Sequence, residues 1–160
     1  MGRSAKRQRP RTRTLHLVDL ENLLGDERER EVARAGLETY LELADWHPGD
    51  HVVVAAHPQI VRQIGFEPAV PCNLHAARGT DAADVLLLAQ APPELVAARF
   101  GRLVIGSGDG IFFGRARAAR DRGVGVLVVA RPDGTAERFR RSGFPVRAFP
   151  SVDGEHLVAA

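Results

Sequence analysis

His51-Val52-Val53-Val54-Ala55-Ala56 is a continuous β-branched and small apolar run, closed on its N-terminal side by His47-Pro48-Gly49-Asp50 and followed by Pro58. Alternation of polar and apolar residues would mark a strand with one wet face. An unbroken run instead marks a strand covered on both faces, as in parallel sheets flanked by helices. Working outward, Thr14 to Asp19 (TLHLVD) reads as an earlier strand. Arg28 to Trp46 carries Val32, Leu37, Tyr40, Leu41 and Leu43 between charges, the pattern of an amphipathic helix. Pro58 to Ile64 predicts a short helix, and Ala69 to Leu74 a third strand that Pro68 and Pro71 assign to a sheet edge.

The rest of the chain keeps the alternation. Thr80 to Gln90 predicts a helix with Thr80 as N-cap, Pro93 to Phe100 a helix with proline in its first turn, and Leu103 to Gly106 a fourth strand. Ile111 to Arg122 predicts a helix closed by Gly123, Val124 to Ala130 a fifth strand, Thr135 to Arg141 a helix and Val146 to Phe149 a last short strand. Strands alternating with helices imply parallel pairing and right-handed crossovers. The expected fold is a three-layer α/β/α sandwich around a mainly parallel sheet of five or six strands.

The chain has 160 residues, enough for one domain and one sizeable core. One cysteine, Cys72, excludes an internal disulfide and a Cys-rich zinc site. No apolar stretch approaches a membrane span and no secretory leader is visible, so the expected location is the cytoplasm. Charge is divided unevenly. Residues 1–13 hold Arg3, Lys6, Arg7, Arg9, Arg11 and Arg13 and no acid; removing these six from 22 basic residues leaves 16 against 20 acids, so the remaining 147 residues carry −4. The reading is a basic disordered tail (1–13), one domain (14–150) and a C-terminal tail (151–160). The basic tail is either a solvated terminus or an element that draws in nucleic-acid phosphates.

Open parallel sheets bind ligands beyond the carboxyl ends of their strands. Three segments bring acids there: Asp19-Leu20-Glu21-Asn22 after the first strand, Arg78-Gly79-Thr80-Asp81-Ala82-Ala83-Asp84 after the third, and Gly106-Ser107-Gly108-Asp109-Gly110 after the fourth. Each acid has an ordinary account on its own: a helix first turn for Asp81 and Asp84, turn chemistry for Asp109, an Asx-turn for Asp19. Independent turn acids have no reason to gather at one sheet edge. Crowded carboxylates call for a cation, and hard oxygen ligands select Mg²⁺ or Mn²⁺. Such an ion activates water and neutralises a phosphoryl group, which makes a phosphodiester the natural substrate. Gly106 to Gly110 does not make a dinucleotide fingerprint, because Ile111 stands where Gly or Ala is needed, and no P-loop lysine or serine-hydrolase elbow is present. The histidines show no metal-ligand spacing, and His75 is the one expected near the cleft. Cys72, Trp46 and Phe112 are expected in the core.

Leu17-Val18-Asp19-Leu20-Glu21-Asn22 resembles the D-x-x-N opening of NYN domains, a branch of the PIN-like nucleases. Arg78-Gly79-Thr80-Asp81 with Asp84-Val85-Leu86-Leu87-Leu88 resembles their basic-Gly-x-Asp segment and acidic helix, and Val104-Ile105-Gly106-Ser107-Gly108-Asp109-Gly110 their V-x-x-S-G-D-G strand end. The resemblance runs over roughly residues 14–149. It implies a PIN-like fold, a Mg²⁺ or Mn²⁺ site and metal-dependent cleavage of single-stranded or structured RNA, with self-association left open. Asp19 and Asp109 would be the primary metal ligands. Asp81 and Asp84 would complete the pocket, and Asn22 would orient a water or a phosphate oxygen. Arg78 would meet a flanking phosphate and Ser107 would donate to a phosphate or brace Asp109, while Arg115 and Arg117, on the helix after Asp109, either track the RNA backbone or form a solvated helix face. In-line attack by water would leave a 5′-phosphate and a 3′-hydroxyl.

One position departs from the pattern. Many members carry a second aspartate two residues after the first, where this chain has Ile111. That leaves three readings: a ribonuclease with one metal or a weak second one through Asp84 or Glu21, a catalytically impaired RNA-binding or regulatory domain, and a phosphohydrolase of small phosphate esters.

Overall fold

The computed structural model describes residues 12–65, 71–79 and 81–151. In chain order the elements are β1 (Thr14–Asp19), α1 (Leu20–Leu24), α2 (Arg30–Leu43), β2 (His51–Ala56), α3 (Pro58–Ile64), β3 (Asn73–Ala76), α4 (Ala82–Ala89) and α5 (Pro93–Arg99). They continue with β4 (Arg102–Gly106), a 3₁₀ turn (Gly110–Phe112), α6 (Phe113–Asp121), β5 (Gly125–Ala130), a second 3₁₀ turn (Pro132–Gly134), α7 (Glu137–Arg141) and β6 (Val146–Ala148). All six strands run parallel in the order β3-β2-β1-β4-β5-β6. No helix among the described residues is long and apolar enough to cross a membrane.

The sheet separates two apolar layers, and β2 shows why its run is unbroken. Val53 and Ala55 pack on one face with Leu87 of α4, Val96 of α5 and Ala116 of α6. Val52, Val54 and Ala56 pack on the other with Leu37 and Tyr40 of α2 and Ile60 of α3. Each valine buried this way contributes roughly 1.5–3 kcal/mol. The largest buried side chain, Tyr40, hydrogen-bonds His16 Nδ1 through its hydroxyl at 3.1 Å. Its ring lies over Gly106, where a Cβ would stand 2.7 Å from Tyr40 Cε2, so the end of β4 is shaped by an aromatic ring on the opposite layer.

Several boundaries differ from expectation. The helix expected over Arg28 to Trp46 is α2, and a further short helix, α1, precedes it. Asp19 caps the five-residue α1, accepting from Asn22 N–H at 3.1 Å, and Gly25, at φ 69°, ends it. α2 begins only at Arg30. β3 pairs from Asn73 onward, at the sheet edge, which leaves Cys72 outside the strand and half-buried rather than in the core. Burial raises the Cys72 thiol above its ordinary pKa. Thr80 lies outside the described residues; the N-cap of α4 is Asp81, in the left-handed conformation (φ 61°) and with no side-chain capping bond. The helix expected from Ile111 opens with a 3₁₀ turn capped by Asp109. Phe112 is fully buried, while Trp46 is only partly so. Arg13, counted with the basic tail, donates to Gly49 C=O at 2.8 Å and lies over the Phe100 ring. The remaining tail (1–11) and residues 152–160 of the C-terminal tail, with His156, lie outside the described residues.

Candidate active site

Strand order fixes where the site is. The chain winds outward from β1 to β3 and then returns to place β4 on the other side of β1. Neighbouring connections therefore leave in opposite directions between β1 and β4, opening a crevice beyond their carboxyl ends. Asp19 is the last residue of β1, and Asp109 follows β4 by three residues.

Both tips are held by local hydrogen bonds. The Asp19 cap turns the chain so that Asn22 Oδ1 accepts from Gly108 N–H at 3.0 Å. On the other side of the same residue, Gly108 C=O accepts from Ala136 N–H at 2.8 Å. A Cβ on Gly108 would lie 2.2 Å from Gly134 C=O, so only glycine fits between these two loops. Ser107 Oγ accepts from Asp109 N–H at 3.2 Å, and Asp109 Oδ1 accepts from Ile111 N–H at 2.9 Å. The third arm is α4, with Asp81 exposed at its start and Asp84 in its first turn, 5% exposed.

An open cleft of about 550 Å³ joins these arms, lined by Asp19, Glu21, Asn22, Asp81, Asp84 and Asp109 together with Arg28, His57, Arg78 and Gly79. Its electrostatics are unfavourable as they stand. Burial pushes Asp19 from 3.8 to about 6, against the Asn22 N–H that lowers it, and Asp84, Glu21 and Asp109 push it further up. Burial also raises Asp84, with Asp109 and Asp81 adding to the effect. Asp84 Oδ1 is buried with no hydrogen-bond partner. A buried carboxylate oxygen without a donor is costly unless a proton or a cation meets it. Among the described residues, no group of three or more His, Cys, Asp or Glu side chains is gathered closely enough to hold a metal ion as it stands. The donor chemistry nevertheless fits a hard divalent cation, since Mg²⁺ is typically held by one or two carboxylates with waters completing its shell.

Placement differs among the expected site residues. Asp19, Asn22, Arg78, Asp81, Asp84 and Asp109 all line the cleft. Ser107 does not reach it: the side chain is fully buried and its hydroxyl braces Asp109, so it offers nothing to a phosphate. Arg115 is partly buried and donates to Leu88 C=O at 3.1 Å and to Ala91 C=O, tying α6 to the end of α4. Desolvation lowers its pKa, as expected of a cation spent on structure. Glu21 is half-exposed and paired with Arg28 at 3.1 Å, so it is already engaged. Ile111, two residues after Asp109, is 44% exposed and is not among the residues lining the cleft. The histidine in the cleft is His57, not His75, whose Nε2 is buried without a partner on the edge strand. Arg28 reaches the cleft from a loop that sequence spacing does not align with the acids, and His57, at the carboxyl end of β2, carries no acid beside it to mark it.

No protein-family model matches the chain, and no curated protein matches it.

Proposed function

We propose that the protein is a metal-dependent ribonuclease that hydrolyses RNA phosphodiester bonds in the β1/β4 cleft, acting in the cytoplasm. The observation that carries this reading is the meeting of Asp19, Asp84 and Asp109, from three separate segments, in one cleft where burial first, and neighbouring carboxylates second, disfavour the ionised forms of Asp19 and Asp84. Asp19, Asp84 and Asp109 would hold Mg²⁺ or Mn²⁺, with Asp81 completing the acidic pocket. When bound, the ion supplies Lewis acidity and neutralises charge on the scissile phosphate.

The chain's own groups have distinct tasks. Asn22 spends Oδ1 on Gly108, which leaves its amide Nδ2 as the donor it offers to the cleft. Arg78, exposed on the β3 side, supplies positive charge for a flanking phosphate. Asp109, fixed through its own N–H and Oδ1, keeps the carboxylate in place as charge changes around it.

A second reading, an RNA-binding domain with impaired catalysis, is favoured by one observation: the position that carries an aspartate in many NYN-like sequences is an exposed Ile111. Incubating labelled single-stranded and structured RNAs with Mn²⁺, Mg²⁺ or EDTA separates the readings. Cation-dependent cleavage that falls more than about 100-fold in Asp19→Asn and in Asp109→Asn is the expected result. Binding without cleavage selects the second reading. Turnover of a phosphomonoester but not RNA selects a phosphohydrolase of small esters.

A further inference from the structure

His57 follows β2 and caps α3, and its Nδ1 accepts from Gln59 N–H at 3.2 Å. A ring nitrogen that accepts carries no proton, so this bond assigns the ring N–H to Nε2. The ring is half-buried and lines the cleft on the wall shared with Arg78. No hydrogen bond among the described residues reaches Nε2. Nε2 is therefore a donor, on a ring whose orientation the Gln59 bond fixes.

Its neutrality matters in this setting. Arg28, a cation in the same cleft, is held by Glu21 at 3.1 Å and is less free to meet an incoming phosphate. An uncharged N–H is drawn less strongly to a carboxylate and stays available to an incoming acceptor. We propose that His57 donates from Nε2 to a non-bridging phosphate oxygen of the RNA strand, positioning the backbone on the β2 side of the cleft while Arg78 supplies charge. This rests on RNA being the occupant of the cleft, as proposed above.

Two substitutions divide the two jobs of the ring. Asparagine keeps an acceptor where Nδ1 caps α3 and loses the distal donor; glutamine reaches the distal position with a donor and gives up the cap. Binding of labelled single-stranded RNA is measured by anisotropy in EDTA, with thermal midpoints recorded alongside. His57→Asn is expected to weaken binding about 3- to 30-fold with its midpoint within about 2 °C of the parent and its salt slope unchanged. His57→Gln is expected to lower the midpoint and keep affinity within about twofold. Parental affinity in His57→Asn, a salt slope reduced by about 0.7 as for loss of a cation, or a parent chain that binds no RNA overturns the proposal. Failure of the parent to cleave in Mn²⁺, with the His57→Asn binding defect present, sinks the hydrolytic reading and leaves this contact standing.

Discussion

Asn22 and Gly108, 86 positions apart, are joined by a 3.0 Å hydrogen bond from the Gly108 N–H to the Asn22 side-chain oxygen. The bond ties the tip of β1 to the tip of β4 and so sets the spacing between the loops that carry Asp19 and Asp109. Asn22→Ala leaves the Gly108 N–H without its acceptor and is expected to cost about 1–3 kcal/mol by denaturant unfolding. Cleavage should fall with it, because the loop carrying Asp109 loses its lateral tie. A variant as stable and as active as the parent would remove the bond from the account.

Asp19 predicts a pH effect of a specific sign. Its folded pKa, about 6, lies above its ordinary 3.8, so the folded chain holds this proton more tightly than the unfolded one. The associated stability is complete below about pH 4 and is lost as pH rises through 6, to a total of about 3 kcal/mol. Asparagine keeps the α1 cap without the charge. Asp19→Asn should therefore be more stable than the parent at pH 8, and urea titrations across pH 4–8 should show the gap closing toward the acid end. Asp84 shifts in the same direction, so in the parent Mn²⁺ should raise the thermal midpoint most at high pH.

Ile111→Asp tests the departure from the family pattern. The side chain is 44% exposed, so the substitution costs the fold little. Calorimetry should report tighter Mn²⁺ binding than in the parent, and cleavage should rise if the missing carboxylate limits it. Unchanged Mn²⁺ affinity would mean that this position lies out of reach of the ion.

Arg115 separates structure from RNA contact. Its guanidinium holds the C-terminal carbonyls of α4, so Arg115→Ala should destabilise by roughly 1–3 kcal/mol while leaving the salt dependence of RNA binding unchanged. A lower salt slope with unaltered stability would return Arg115 to the RNA surface.

The basic tail gives the opposite signature. Arg13 is anchored to Gly49, so truncation should stop at residue 11, removing Arg3, Lys6, Arg7, Arg9 and Arg11. Loss of these five charges should lower RNA affinity and reduce the salt slope by at most about 3.5, with the thermal midpoint unchanged. An unchanged slope leaves the tail without a role in binding.

β2, β4 and β5 were legible because burial on two faces leaves a continuous apolar signature that needs no partner to be read. The acidic edge was legible for a related reason: topology alone decides which strand ends share a crevice. What the sequence hid are the features made by tertiary bonds. α1 is only five residues long and owes its start to the Asp19 cap, so no periodicity announces it. Arg115 and Ser107 look like surface donors until the carbonyls of α4 and the Asp109 amide are seen to occupy them. His57-Pro58 is legible at the carboxyl end of β2, but with no acid beside it nothing in the sequence marks the ring as part of the cleft.

Gly108 is gripped from both sides, its amide by Asn22 and its carbonyl by Ala136, with the Gly134 carbonyl against its α-carbon. Such a stack has no slack for one loop to unfold while the others stay closed. The amides of Gly108 and Ala136 should therefore exchange with deuterium at matching opening free energies, as one cooperative unit, although they belong to segments far apart in the chain.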